Sequence, residues 1–294
     1  MKNKIIVGQT VIIMILLGVL GMLLYQNTMK NNVEYSYLEY GDDFSEIEMY
    51  DETGKIVDLP FGDGSKAATT VLYLTAECSG CIETISDFNR FKSVFGEEVN
   101  FILLWEDDIP RNLIKKHGID AISYTLKGKT KLSTSTPTFY LIDGNKKIVF
   151  KDVDQSNLIQ KLIEVDFIEK EVLQEKATQY IVNAYFESDR ENRLKLVYFY
   201  MPGCSDCMAV NEFIKEEKLD EKYQIVYIYK YNSTQEGVVI DKNKLFANVY
   251  GVNWYPSFIL ISDSGYEIVG KTSEEEVKMI LKDYGTKNSR KSGR

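Results

Sequence analysis

The feature that most constrains this chain is the placement of its four cysteines, which form two Cys-x-x-Cys pairs, Cys78 with Cys81 and Cys204 with Cys207. Both pairs sit in the same local pattern. Leu194 to Tyr200 is an apolar and aromatic run too short for a globular helix, and Pro202-Gly203 closes it with turn chemistry. A buried strand is the economical reading. Met208, Val210, Phe213 and Ile214 then recur at a spacing that suits one helix face, so Cys204 opens a helix. The earlier unit repeats this order: Val71 to Leu74, then Cys78-Ser79-Gly80-Cys81, then Ile82, Ile85, Phe88 and Phe91.

A cysteine at a helix N-terminus has chemical content, because the orphan amides and the positive end of the helix dipole favour a thiolate there. Two intervening residues on that first turn bring the second sulfur within bonding range, so each pair can cycle between dithiol and disulfide. Two structural readings compete with this one. Small stabilising disulfides are the first, but so short a loop removes little unfolded-state entropy. A tetrahedral zinc site is the second; well over a hundred residues separate the pairs and each opens its own helix, which keeps the four sulfurs apart. His117, the single histidine, stands in a helix-ending Lys-Lys-His-Gly sequence and reads as a solvated C-terminal residue. Neither a metal ion nor a cofactor is called for.

A later proline precedes a strand in both halves: Thr136-Pro137 before Thr138 to Ile142, and Tyr255-Pro256 before Ser257 to Ile261. With these residues, both units resemble the active-site segment of the thioredoxin superfamily, and the first half resembles its membrane-tethered TlpA/ResA-like branch. The resemblance implies an α/β chain with two tandem thioredoxin-like domains, each a mixed central sheet flanked by helices. It implies that Cys78 and Cys204 are attacking nucleophiles and that Cys81 and Cys207 resolve the mixed disulfide. Pro137 and Pro256 would be cis prolines beside the cysteines. Thr136 and Tyr255 would offer backbone groups to a substrate segment lying alongside as an added strand. The chain departs from the family at several points. Glu77 and Gly203 replace the tryptophan before the first cysteine, and Leu72 and Tyr198 stand where many thioredoxins hold a buried acid. Thr84 occupies the place of a glutamate in ResA-like proteins, with Glu83 one position away. Carboxylates at Glu77 and Asp206 disfavour a neighbouring thiolate, which points to a reducing or isomerising pair.

A length of 294 residues suggests about two domains, each able to bury its own core. The net charge of -9 argues against a nucleic-acid binder. Ile5 to Leu24 holds about 20 residues without a charge, enough for a hydrocarbon core of roughly 30 Å. No small-residue cleavage site follows at Tyr25 to Met29, so an uncleaved anchor is expected. Lys2 and Lys4 favour a cytoplasmic N-terminus and place the bulk of the chain outside the cell membrane. The expected division is an anchor over 1–25, a spacer over 26–36, thioredoxin-like domains over 37–166 and 167–285, and a basic tail over 286–294.

Along the chain, Glu46 to Tyr50 and Lys55 to Leu59 read as a hairpin around Asp51-Glu52-Thr53-Gly54. Gly62 to Ser65 and Lys127 to Ser135 read as surface loops. Asp166 to Glu175 is a charged helical stretch, and a separate helix from Ala177 to Tyr185 opens the second domain before a break at Glu187 to Arg190. Asp241 caps a helix ended by Gly251, and Ser273 with Glu276 resembles a capping box. The expected function is a membrane-anchored extracytoplasmic thiol-disulfide oxidoreductase acting on cysteine-containing proteins, reset by a membrane thiol reductase or oxidase. The competing reading is a tethered, non-catalytic binding or chaperone module in a secretion or cell-envelope assembly, because one fold hosts many functions.

Overall fold

The computed structural model describes residues 19–22, 37–59, 66–116, 118–119, 121–126, 132–165, 167–186, 193–231, 237–262, 265–269 and 274–289. In chain order the first part contains β1 (Met49–Tyr50), β2 (Ile56–Val57), β3 (Ala68–Leu74), α1 (Ser79–Phe95), β4 (Val99–Trp105), α2 (Arg111–Lys116), β5 (Ile122–Leu126), β6 (Thr138–Ile142), β7 (Ile148–Asp152) and α3 (Gln155–Glu164). The second contains α4 (Lys170–Tyr185), β8 (Leu194–Tyr200), α5 (Ser205–Glu216), β9 (Tyr223–Tyr229), β10 (Val238–Ile240), α6 (Leu245–Tyr250), β11 (Ser257–Ser262), β12 (Gly265–Val269) and α7 (Glu274–Ser289).

Two mixed sheets result, ordered β2-β1-β5-β4-β3-β6-β7 and β10-β9-β8-β11-β12. The strand before each cysteine pair holds the same place in its sheet. β3 runs parallel to β4 and antiparallel to β6, and β8 runs parallel to β9 and antiparallel to β11. Side chains alternate across each sheet, so neighbouring residues enter different apolar layers. Leu72 and Leu74 of β3 face a layer containing Ile85, Phe88 and Phe91 of α1, while Val71 and Tyr73 face Phe44, Met49 and Tyr140. In β8, Leu196 and Tyr198 pack with Val210 and Phe213 of α5 and Leu281 of α7. Val197 and Phe199 point the other way, into the layer that holds α1.

Each half has a buried cluster of its own, and a further layer is common to both. Leu158 and Leu162 of α3, Leu173, Ala177 and Ile181 of α4, and Phe246 and Val249 of α6 join the α1 residues in one buried cluster between the sheets. Polar contacts edge the cluster. Arg90 Nη1 donates to Ile240 O at 2.6 Å, and Asn243 Nδ2 donates to Asp87 Oδ2 at 2.5 Å and to Gln155 Oε1 at 3.2 Å. Asn248 Nδ2 donates to Ser156 O at 2.9 Å, and Lys176 pairs with Glu97 and Glu98.

Other details also differ from the sequence reading. The charged stretch and the following helix are one helix, α4, with Gln174 and Ala177 buried on the same face. Leu132 and Ser133 are buried, so the stretch read as a surface loop turns into the core at its end, where Leu132 O accepts from Tyr140 Oη at 2.7 Å. Helix α7 runs to Ser289, into the stretch read as a tail. The hairpin forms, but with two-residue strands. Several expectations fall outside the described residues: the span over 5–24 apart from 19–22, the spacer, the loop at 62–65, His117, the break at 187–190, and Ser273. Among the described residues no helix is long and apolar enough to cross a membrane.

Candidate functional site

Each cysteine pair begins where its strand ends. Leu194 to Tyr200 leads into Pro202-Gly203, and Gly203 holds φ +82°, a left-handed conformation that glycine adopts without cost. Cys204 N–H donates to Met201 O at 3.1 Å, closing the turn, and Cys78 N–H donates to Thr75 O at 3.3 Å in the first half. Both first cysteines then occupy the N-cap position with extended backbone, Cys204 at φ -81°, ψ 119° and Cys78 at φ -80°, ψ 106°.

The two pairs differ in bonding. Cys78 and Cys81 form a disulfide with a Cα separation of 5.3 Å, and Cys204 and Cys207 are free thiols. In both pairs the first cysteine is half-buried and the second is buried. Cys204 Sγ accepts from the Cys207 N–H at 3.2 Å, so an amide of the first helical turn points at the sulfur. Burial pushes the Cys207 thiol up to about 12, and its contact with Cys204 acts the same way. The Cys207 carbonyl accepts from the buried Tyr198 Oη at 2.9 Å, which ties the turn to the strand beneath.

The residues before the two prolines reach the sulfurs. Thr136 O lies 3.6 Å from Cys78 Sγ, and Tyr255 O lies 3.7 Å from Cys204 Sγ. The Thr136-Pro137 and Tyr255-Pro256 peptide bonds are both cis. Thr136 Oγ1 also sits 3.2 Å from Thr75 Oγ1, joining the proline turn to the end of β3. All eight residues singled out in the sequence thus gather at two places, four at the end of each cysteine strand. The two places do not merge, because α1 lies between the sheets and α5 lies on the outer face of the second sheet.

Two neighbours were not read from the sequence. Glu106 follows β4 and accepts from Tyr73 Oη at 2.8 Å, and Lys230 follows β9 with Nζ 5.8 Å from the centre of the Tyr255 ring. Their signal was available in principle, since each ends the strand that runs parallel to a cysteine strand. Glu83, by contrast, pairs with Lys242 at 3.2 Å.

Chemically, each arrangement offers a half-buried first sulfur, a second sulfur behind it and a backbone carbonyl alongside, and at Cys204 an amide of the first helical turn also points at the sulfur and can hold its negative charge. Residues 181–285 match the model of the thioredoxin-like domain family. Among solved structures the chain is similar to the thioredoxin domain of a thiol-disulfide oxidoreductase from Bacteroides vulgatus, with 18% identity and a TM-score of 0.37 over 44% of this chain and 98% of that one. It is also similar to a putative thiol:disulfide interchange protein from Chlorobium tepidum, with 17% identity and a TM-score of 0.37 over 45% and 99%. A thiol-disulfide oxidoreductase from Bacteroides fragilis matches at 16% identity and a TM-score of 0.35 over 43% and 99%. No curated protein matches the chain.

Proposed function

We propose that the chain is a thiol-disulfide oxidoreductase with two thioredoxin-like domains, 37–166 and 167–285, acting on cysteine-containing proteins outside the cytoplasmic membrane. One observation carries this reading: in both halves a half-buried cysteine caps a helix and faces the carbonyl of the residue before a proline, with a buried cysteine behind it. Cys204 as thiolate attacks one sulfur of a client disulfide, forming a Cys204–client bond and releasing the other client sulfur as a thiolate, which takes a proton from water. Cys207, once deprotonated, attacks Cys204 and expels the client. Two electrons pass from the protein dithiol to the client, and the Cys204–Cys207 disulfide remains. Cys78 and Cys81 run the same exchange, in either direction. Thr136-Pro137 and Tyr255-Pro256 hold the client strand, with Thr136 and Tyr255 supplying backbone groups. The segment Ile5 to Leu24 anchors the chain, and a membrane thiol reductase or oxidase resets the pairs.

The test is insulin-disulfide reduction by the full chain in detergent, beside a variant with all four cysteines replaced by serine. Reduction above the uncatalysed rate by the parent and none by the variant is expected. Equal rates would leave a tethered module without redox activity. Labelling of intact cells with a membrane-impermeant maleimide checks the side of the membrane: Cys204 should react without lysis, and reaction only after lysis would reverse the orientation.

A further inference from the structure

The two cysteine sites sit at equivalent points of their sheets, yet different chemistry surrounds them. The residue after the strand parallel to each cysteine strand bonds back to that strand's end: Glu106 N–H donates to Leu74 O at 2.8 Å, and Lys230 N–H donates to Tyr200 O at 3.3 Å. Equivalent backbone positions therefore carry opposite charges. Each site keeps one exposed carboxylate beside its cysteines, Glu77 before Cys78 and Asp206 before Cys207, and the rest of each rim continues the contrast. Asp107 and Asp108 follow Glu106, both exposed, and the exposed Glu77 directly precedes Cys78. At the second site Tyr231 follows Lys230 and is 51% exposed, Trp254 precedes Tyr255 and is 59% exposed, and Met208 follows Cys207 and is 49% exposed. Asp107, Ser135 and the half-buried Ile82 hold the corresponding places in the first half. Lys230 Nζ lies 5.1 Å from the Tyr231 ring centre and 5.8 Å from that of Tyr255, whose carbonyl touches the Cys204 sulfur, so a cation is held within the aromatic rim.

From this contrast we infer that the two sites take different clients: the Cys204 site a disulfide flanked by aromatic or other apolar side chains and a carboxylate, the Cys78 site one flanked by lysine or arginine. The inference rests on the proposed redox function. Apolar flanks leave water against Trp254, Tyr231 and Met208, and a carboxylate meets Lys230. Basic flanks meet Glu77, Glu106, Asp107 and Asp108, an attraction that acts mainly on encounter and on the choice of partner. A client cysteine attacked by either sulfur brings its flanking residues onto the rim, so rim chemistry selects among clients that share the same reacting bond.

The experiment uses two variants of the full chain, Cys78→Ser with Cys81→Ser, and Cys204→Ser with Cys207→Ser. Alanine pairs repeat the measurement should a serine pair fail to fold. Each is reduced with dithiothreitol, freed of it, and mixed with cyclic disulfide peptides whose flanks are tryptophan and aspartate, lysine and arginine, or serine and glycine. Single-turnover reduction is followed by peptide mass. The variant retaining Cys204 and Cys207 should reduce the tryptophan-aspartate peptide about 10-fold faster than the basic one, a ratio set by differential binding. The variant retaining Cys78 and Cys81 should show the reverse order, with a preference that weakens as salt is raised. In the first variant, adding Trp254→Ser and Lys230→Glu should narrow its preference. If both variants rank the peptides alike, the inference fails and the redox reading stands. If neither reduces any peptide, the redox reading fails and takes the inference with it.

Discussion

Burial favours the protonated form at both Cys207 and Asp241, but the two groups turn that into different behaviour. Cys207 must lose its proton to resolve a mixed disulfide, and burial has pushed its thiol up to about 12. The thiolate fraction then rises about tenfold per pH unit well below that value. A mixed disulfide preformed on Cys204 should therefore resolve with a log-linear slope near one between about pH 7 and pH 9; a flat profile would show that another group takes the proton before attack. Replacing Cys207 by serine should accumulate mixed disulfides on Cys204, visible by mass, whereas replacing Cys204 by serine should trap none there. Asp241 is 4% exposed, and its carboxylate accepts from the Phe246 and Ala247 amides at 3.2 and 2.9 Å, with its ionisation raised by burial to about 6. A raised folded value means that this group's contribution is fully present below its unfolded range near 4 and is lost as pH rises through about 6. Asp241→Ala should lower stability by about 1 to 3 kcal/mol near pH 4, through the amides left without an acceptor. Urea unfolding at successive pH values should show the gap between the two proteins narrowing towards pH 7, and a gap that widens instead would mean that folding lowers the ionisation of Asp241 rather than raising it.

At the scale of elements, what packing decided was harder to read than what pattern decided. β3 and β8 are apolar on both sides because helices or loops cover both faces, and such runs are visible in a sequence. The cysteine pairs and the prolines were legible for the same reason: a turn, a helix start and a strand start each leave a local mark. β5 and β10 left none. Ile122 of β5 is 52% exposed and β10 is three residues long, so tertiary pairing with β4 and β9 defines them. The sequence of helix α4 reads as two stretches because charges dominate its first half; Lys176 is held by Glu97 and Glu98 while Ala177 beside it is buried. Glu106 and Lys230 carry no local mark in the sequence, because their place is set by the neighbouring strand. The α1 face is the element most exposed to test. Phe91 is fully buried, with ring centres 4.9 Å from Phe101 and 5.4 Å from Phe95. Phe91→Ala should cost about 3 to 5 kcal/mol, and Glu171→Ala on the exposed side of α4 should stay within about 0.5 kcal/mol. A smaller loss at Phe91 than at Glu171 in urea unfolding would mean that the packing described does not hold α1 in place.

For the whole molecule, the shared layer between the sheets matters more than the count of domains. α1 and α3 bring Ile85, Phe88, Leu158 and Leu162 to it, and α4 and α6 bring Leu173, Ala177, Ile181 and Phe246. Cutting the chain between the two sheets would bare both sides of that layer, together with the Asp87 and Gln155 groups that Asn243 satisfies. Apolar area of this kind exceeds what a soluble monomer ordinarily leaves open. The pieces 37–166 and 167–285, made separately, should therefore bind a hydrophobic dye or self-associate. Mixing them should suppress the dye signal and yield a one-to-one complex by light scattering. The same layer predicts that Phe91→Ala loosens both halves, so unfolding followed at a probe in the second half should shift along with one in the first. Two monomeric pieces that bind no dye, do not associate, and unfold at the midpoint of the intact chain would show that each half completes its own core, and the two cysteine sites would then be free to move relative to one another.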